Sequence, residues 1–293
     1  MITPNELQAK LAKDLGIKNL YFKREDLHPY GSHKGRSIPV MIDKYLAEGI
    51  HHFAISSSGN AALAAAFHIQ KLNHYRNDKI NLDILIGRHI DNKKLEKLSQ
   101  FKNSEISITM HDRPLQTLFN ITQDQNIKPL RQSNDDNALV GYEVLAKELL
   151  EIKDLNAVFI GTSSGTTAQA LSEYFEKNSK KNKIQIHIVQ TSTCHVIADA
   201  FVDDQILDEK SLADAIVDHT ALRKNKIIEL IKKNEGSGWI ASNELIISAK
   251  EITKKNTGLS ISNNSALSVA GLMQAVYTGQ SWDGSIVCMI CGD

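Results

Sequence analysis

The chain has 293 residues, with 34 Lys and Arg against 34 Asp and Glu, 42% hydrophobic residues and three cysteines. That length suits about two domains, while balanced charge argues against nucleic acid or a polybasic membrane surface and three cysteines make no disulfide framework. No apolar run approaches the roughly 20 residues that span a bilayer and the opening MITPNELQAK lacks a signal-peptide pattern, so the expectation is a cytoplasmic protein acting on small molecules.

Along the chain, short apolar runs predict strands at 20–23, 53–56, 81–86, 106–109, 157–160, 184–189, 238–241 and 285–290. Between them, amphipathic patterns predict helices at 38–48, 61–72, 93–101, 142–151, 166–176, 224–233, 243–255 and 265–278. This alternation predicts an α/β fold of parallel sheet flanked by helices. No Pro/Gly/Ser-rich linker divides the chain, and the lysine-rich stretch at 177–183 reads as a solvated loop after a helix.

Three segments each follow a predicted strand and open a predicted helix, which is where open α/β sheets bind ligands. In the first, Gly31-Ser32-His33-Lys34-Gly35-Arg36, small residues bracket one lysine. A helix start disfavours the ammonium, which suits a nucleophilic or Schiff-base amine; the plainer alternative is a surface lysine in a turn. The second, Ser57-Ser58-Gly59-Asn60, offers hydroxyls and free N–H groups to a carboxylate or phosphate. Ordinary helix capping is its alternative. The third is Gly161-Thr162-Ser163-Ser164-Gly165-Thr166, a credible phosphate cradle. No Lys-Ser/Thr pair follows its second glycine and it does not spell G-x-G-x-x-G, so nucleotide hydrolysis and hydride transfer lose support. A lysine, a carboxylate loop and a separate phosphate loop together are what a pyridoxal-phosphate enzyme requires.

The same segments resemble the tryptophan-synthase-β superfamily of pyridoxal-phosphate enzymes, fold type II. Its frame K-x-E-x-x-x-P-T-G-S-x-K-x-R is met by Lys23, Glu25, Pro29, Gly31, Ser32, Lys34 and Arg36. Ser58-Gly59-Asn60 resembles its S-G-N loop and Gly161–Thr166 its glycine-rich phosphate loop. Further on, residues 141–149 are similar to the E-G-Y-K-T-I-A-Y-E-I helix of the threonine-synthase-like branch, 211–216 to T-I-A-D-A-I, 265–272 to S-A-A-A-L-A-G-L, and 290–292 to the closing L-T-G.

The resemblance implies two open, twisted, mainly parallel sheets flanked by helices, with the cofactor in the cleft between domains. A smaller, mobile domain would cover residues 36–135, and a larger one residues 1–35 plus 136–293, carrying the phosphate loop. It implies that Lys34 forms the Schiff base and then acts as base, and that Asn60 touches the cofactor's 3′-oxygen. It also implies that Ser57, Ser58, Gly59 and Asn60 grip the substrate carboxylate. Gly161, Thr162, Ser163, Ser164, Gly165 and Thr166 would hold the phosphate, with Cys291 beside the pyridine nitrogen. The implied activity is a lyase for a small L-amino acid, working by β- or γ-elimination or replacement, in a homodimer.

Some residues depart from the family pattern. Cys291 stands where Ser or Thr is common, Gly35 where Asp follows the lysine, and Ser262 where Glu is usual. A gapless alignment puts Ala138 at the arginine with which threonine synthases hold a substrate phosphate, and Arg131 falls earlier. The alternative reading is therefore a cofactor-binding protein of the same fold with lost or altered catalysis, acting in binding or regulation. Two cysteines spaced C-x-x-C do not complete a zinc site, and the 11 histidines form no H-x-x-x-H cluster, so no metal is expected.

Overall fold

Short β-branched runs form the strands, and stretches with apolar residues every three or four positions form the helices between them. The computed structural model describes residues 2–124, 126–179, 183–202 and 210–292. In chain order the first elements are β1 (Asn5–Leu7), α1 (Ala9–Asp14), β2 (Asn19–Arg24), α2 (Lys34–Ala47), β3 (His52–Ser56), α3 (Asn60–His74), β4 (Asn81–Gly87), α4 (Asn92–Ser99), β5 (Ile106–His111) and α5 (Pro114–Ile121). There follow β6 (Ile127–Pro129), α6 (Asn137–Val140), α7 (Glu143–Leu150), β7 (Leu155–Gly161), α8 (Thr166–Asn178), β8 (Gln185–Thr191), α9 (Lys224–Lys233), β9 (Ser237–Ala241), α10 (Asn243–Thr257), α11 (Asn263–Tyr277) and β10 (Ser285–Ile290). The strands form two open, mainly parallel sheets flanked by helices.

The chain divides into two compact units, one of residues 1–28 and 142–293, the other of 29–141. The second unit thus begins before Lys34 and includes it, where the sequence set a boundary at 36. Lys34 starts α2, whose body packs on α3 and α6 of that unit.

In the larger unit the sheet order is β1-β2-β10-β7-β8-β9. Among its described strand pairs, only β1 and β2 run antiparallel, Asn5 opposite Lys23. Every residue of the central strand β10 is buried, which is why after Ser285 it reads as a continuous apolar run rather than an alternating one. Helix α11 packs against β7, β8, β9 and β10. Its Gly271 makes that approach possible, because a Cβ there would lie 2.3 Å from Val189 Cγ2.

Three buried polar side chains in this unit, Lys23, Glu148 and His187, have partners. Lys23 Nζ lies 2.5 Å from Glu148 Oε2 and donates to the Thr3 carbonyl at 2.8 Å, joining β2 to α7. His187 stacks on Phe159 with ring centroids 4.3 Å apart, and its Nδ1 accepts from Trp239 Nε1 at 3.1 Å. Burial pulls its pKa down to about 3.

The smaller unit holds a parallel sheet ordered β5-β4-β3-β6. Phe53, Ile55, Leu82, Ile84 and Ile106 on the sheet pack with Ile38, Met41 and Ile42 of α2 and the alanines of α3. At the C-terminus of α6, a Cβ on Gly141 would lie 2.4 Å from Ser37 Cα, so glycine permits that backbone contact.

Five elements escape the sequence pattern: β1, β6, α1, α5 and α6. β1 and β6 are three residues each, too short for alternation to register. The loop expected at 177–183 starts later, since α8 runs to Asn178, and residues 180–182 lie outside the described residues.

Candidate functional site

In the smaller unit the chain enters α2 through Pro29-Tyr30-Gly31-Ser32-His33. Gly31 adopts φ +74°, a left-handed conformation costly for any residue with a Cβ. Lys34 is the first residue of α2 and half-buried. Two residues earlier, Ser32 is fully buried and its Oγ has no hydrogen-bond partner among the described residues.

The second segment lies in the same unit. β3 ends at Ser56, and Ser57, Ser58 and Gly59 turn the chain into α3, of which Asn60 is the first residue. The Ser57 hydroxyl accepts from the Gly59 N–H at 3.3 Å, and no side chain caps the helix. Ser58 lines a cavity of about 290 Å³ with Gly87, Arg88, His89, Ile90 and Asp112. Arg88 Nε donates to Asp112 Oδ1 at 2.6 Å. These residues lie at or just beyond the carboxyl ends of β3, β4 and β5, the ligand-binding edge of such a sheet. Sequence reasoning missed Arg88, His89 and Asp112. Nothing in their residue pattern marks them; their one signal was position, two or three residues beyond the ends of the predicted strands 81–86 and 106–109.

The third segment belongs to the larger unit. Gly165 has φ +78°, and a Cβ there would lie 2.1 Å from Ile227 Cδ1. The Thr162 hydroxyl accepts from the Gly165 N–H at 3.0 Å, closing the turn. Ser163 Oγ accepts from the Val217 and Asp218 N–H groups at 3.0 and 3.1 Å and donates to Asp218 Oδ2 at 3.0 Å. That hydroxyl is therefore committed to the 217–218 segment. The backbone N–H groups of Ser163 and Ser164 have no protein acceptor among the described residues. With the Ser164 and Thr166 hydroxyls, 3.0 Å apart, they form a neutral donor set suited to a phosphate ester.

Cys291 directly follows β10 and is buried. Ser262 caps α11 by accepting from the Ser265 N–H at 3.1 Å, and its hydroxyl donates to the Gly292 carbonyl at 2.7 Å. Ser265 Oγ donates to the same carbonyl at 3.0 Å. The departure at Ser262 thus anchors the turn beside Cys291. None of the three cysteines forms a disulfide, and burial raises the Cys288 thiol pKa. Ala138 is buried in the core, while Arg131 lies over the Phe119 ring at 5.2 Å.

Among the described residues, no group of three or more His, Cys, Asp or Glu could hold a metal ion, and no helix is long and apolar enough to cross a membrane.

A family model described as pyridoxal-phosphate dependent enzyme matches residues 2–292. Threonine synthase of Bacillus sp. (strain ULM1) is 25% identical over 292 residues, 97% of this chain and 80% of that one. Among solved structures, a pyridoxal 5′-phosphate-dependent aspartate racemase superposes with a TM-score of 0.82 at 18% identity, covering 100% of this chain and 90% of its own. The processed form of threonine deaminase isoform 2 from Solanum lycopersicum gives 0.81 at 19%, covering 99% and 83%. At these identities the two superpositions establish the fold.

Proposed function

Since the chain belongs to the pyridoxal-phosphate-dependent enzyme family, we propose that it is a lyase for a small L-amino acid, acting by β- or γ-elimination or replacement as threonine synthases or serine and threonine dehydratases do. The observation that carries this reading is Lys34 at the first residue of α2, inside a chain that matches the family along its length. The residues fit the cofactor: a half-buried amine with the unpartnered Ser32 hydroxyl nearby, and a neutral donor turn for the phosphate.

When bound, pyridoxal phosphate supplies an electron sink for the substrate α-carbon. Lys34 Nζ presents the amine that the substrate displaces, and then holds the α-proton. Proton transfers of this kind contribute about 10²–10⁴-fold. Ser57, Ser58, Gly59 and Asn60 orient the substrate carboxylate, with Asn60 also toward the cofactor's 3′-oxygen. Gly161, Thr162, Ser163, Ser164, Gly165 and Thr166 hold the phosphate, Ser163 through its N–H because its hydroxyl is engaged. Cys291 would be the residue beside the pyridine nitrogen, offering a thiol, a weak donor. A thiol does not stabilise a protonated ring as a carboxylate would. With such a partner at the ring, the bound group would supply chemistry suited to loss of a β- or γ-substituent rather than transamination.

The test is a turnover screen of the cofactor-loaded protein with serine, threonine, O-phosphohomoserine, O-acetylserine, cysteine and diaminopropionate. Ammonia, sulfide, phosphate and acetate release, and conversion to the D-enantiomer, would each be measured. Release of a substituent, lost in Lys34→Ala, is the expected result. D-amino acid formation without release would make the protein a racemase, and no turnover with the cofactor bound would favour a binding or regulatory role.

A further inference from the structure

Tyr30, four residues before Lys34, stands where the family frame has threonine. A threonine side chain is much shorter. Tyr30 packs its ring on Phe67 of α3, with centroids 4.7 Å apart, and its hydroxyl lies 3.0 Å from His68 Nδ1. On the other side of the imidazole, His68 Nε2 lies 2.8 Å from Asp43 Oδ1 of α2. A carboxylate only accepts, so Nε2 carries a hydrogen, and in the neutral imidazole Nδ1 is then the acceptor for the Tyr30 hydroxyl. Burial, then the Asp43 charge, raises the Tyr30 pKa, which keeps that hydroxyl a donor. His68 is only 8% exposed, so the chain of bonds is shielded from competing water at its centre.

The three side chains come from three pieces of the smaller unit. Tyr30 lies in the loop leading to Lys34, Asp43 on the helix that Lys34 begins, and His68 on the helix that Asn60 begins. At 1.5 Å per residue, Asp43 lies about 13 Å along α2 from Lys34, and His68 about 12 Å along α3 from Asn60. The array therefore acts at a distance from the two helix starts, by holding the helices and the loop in register.

We infer that Tyr30, His68 and Asp43 form a positioning array that sets Lys34 relative to the Ser57–Asn60 turn. This rests on the proposed cofactor role of Lys34. A displacement of about 1 Å between reacting groups can cost up to about 10²-fold in rate, so loss of one link in the array is expected to cost about tenfold.

The experiment compares wild type with Tyr30→Phe, Asp43→Ala and the double variant. Tyr30→Phe keeps the ring on Phe67 and removes only the hydroxyl. In the cofactor-free protein, amide hydrogen exchange is expected to speed up about tenfold at both 31–36 and 57–61. In the loaded protein, the rate of borohydride-trapped adduct formation at Lys34 is expected to fall about tenfold. The double variant should add nothing to the larger single effect, because both residues work through His68. Exchange and trapping rates within twofold of wild type in Tyr30→Phe, or additive effects in the double variant, would overturn the array. Wild-type protein that traps no adduct at Lys34 would instead sink the cofactor reading, and the exchange data would still decide whether the array holds the two turns.

Discussion

The two units hold their candidate ligand groups in different ways. In the larger unit, the candidate phosphate turn is fixed by its own polar atoms: Thr162 closes it on Gly165, and Ser163 is bonded to the 217–218 segment. In the smaller unit, Lys34 and Asn60 are the first residues of two helices, and neither helix has a side-chain cap. Their placement depends on side chains elsewhere in that unit, Tyr30, His68 and Asp43 among them. A group that must bind an anion gains from a rigid turn of backbone donors. An amine that must give up one partner and accept a proton gains from a mount set by packing and register. The buried polar groups divide in the same way: Lys23, Glu148 and His187 lie in the larger unit and serve its stability.

Removing a buried charge partner in the larger unit should have the largest effect on stability. Glu148→Ala leaves the fully buried Lys23 ammonium without its carboxylate, and is expected to destabilise by about 3–5 kcal/mol in denaturant titration. An equal loss in Tyr30→Phe would erase the contrast between the units.

Acid comes next. His187 ionises only near pH 3 when folded, against an ordinary value of 6.5. The unfolded chain therefore binds the extra proton first as pH falls. Stability from this group is fully present above pH 6.5 and is lost on acidification until both states are protonated below about 3. The loss should reach about 2 kcal/mol at pH 5, and His187→Gln should flatten that part of the stability profile. An unchanged slope in the variant would mean other groups carry the acid sensitivity.

A smaller effect is expected at the phosphate turn. Gly165→Ala puts a Cβ at positive φ against Ile227, at a cost of roughly 1–2 kcal/mol. It should weaken cofactor binding, measured by fluorescence titration, while leaving amide exchange at 31–36 unchanged. Faster exchange at 31–36 would show that the turn's rigidity is not confined to its own unit.

The sequence made most of this readable where residue type and periodicity agree. From Ile286 onward β10 is an unbroken apolar run because it is buried on both faces, and α3 announces itself through alanines that let α2 pack closely. Lys34, Ser57–Asn60 and Gly161–Thr166 were legible because each follows a strand and opens a helix. Arg88, His89 and Asp112 were not, since nothing in their own pattern marks them and only the sheet edge brings them to Ser58. The Tyr30–His68–Asp43 array was also invisible, because its members are 13 and 25 residues apart and meet only when α2 packs on α3. Even Ser163 was legible only in part: its place in the turn follows from sequence, but the engagement of its hydroxyl by Asp218 depends on tertiary structure.

Whether Lys34 carries the cofactor is decided chemically. Protein reconstituted with pyridoxal phosphate is reduced with borohydride, digested and mapped by mass spectrometry. One stable pyridoxyl adduct is expected, on Lys34, and none in Lys34→Ala. An adduct on a different lysine, or no adduct in a protein that retains the cofactor, would contradict that assignment.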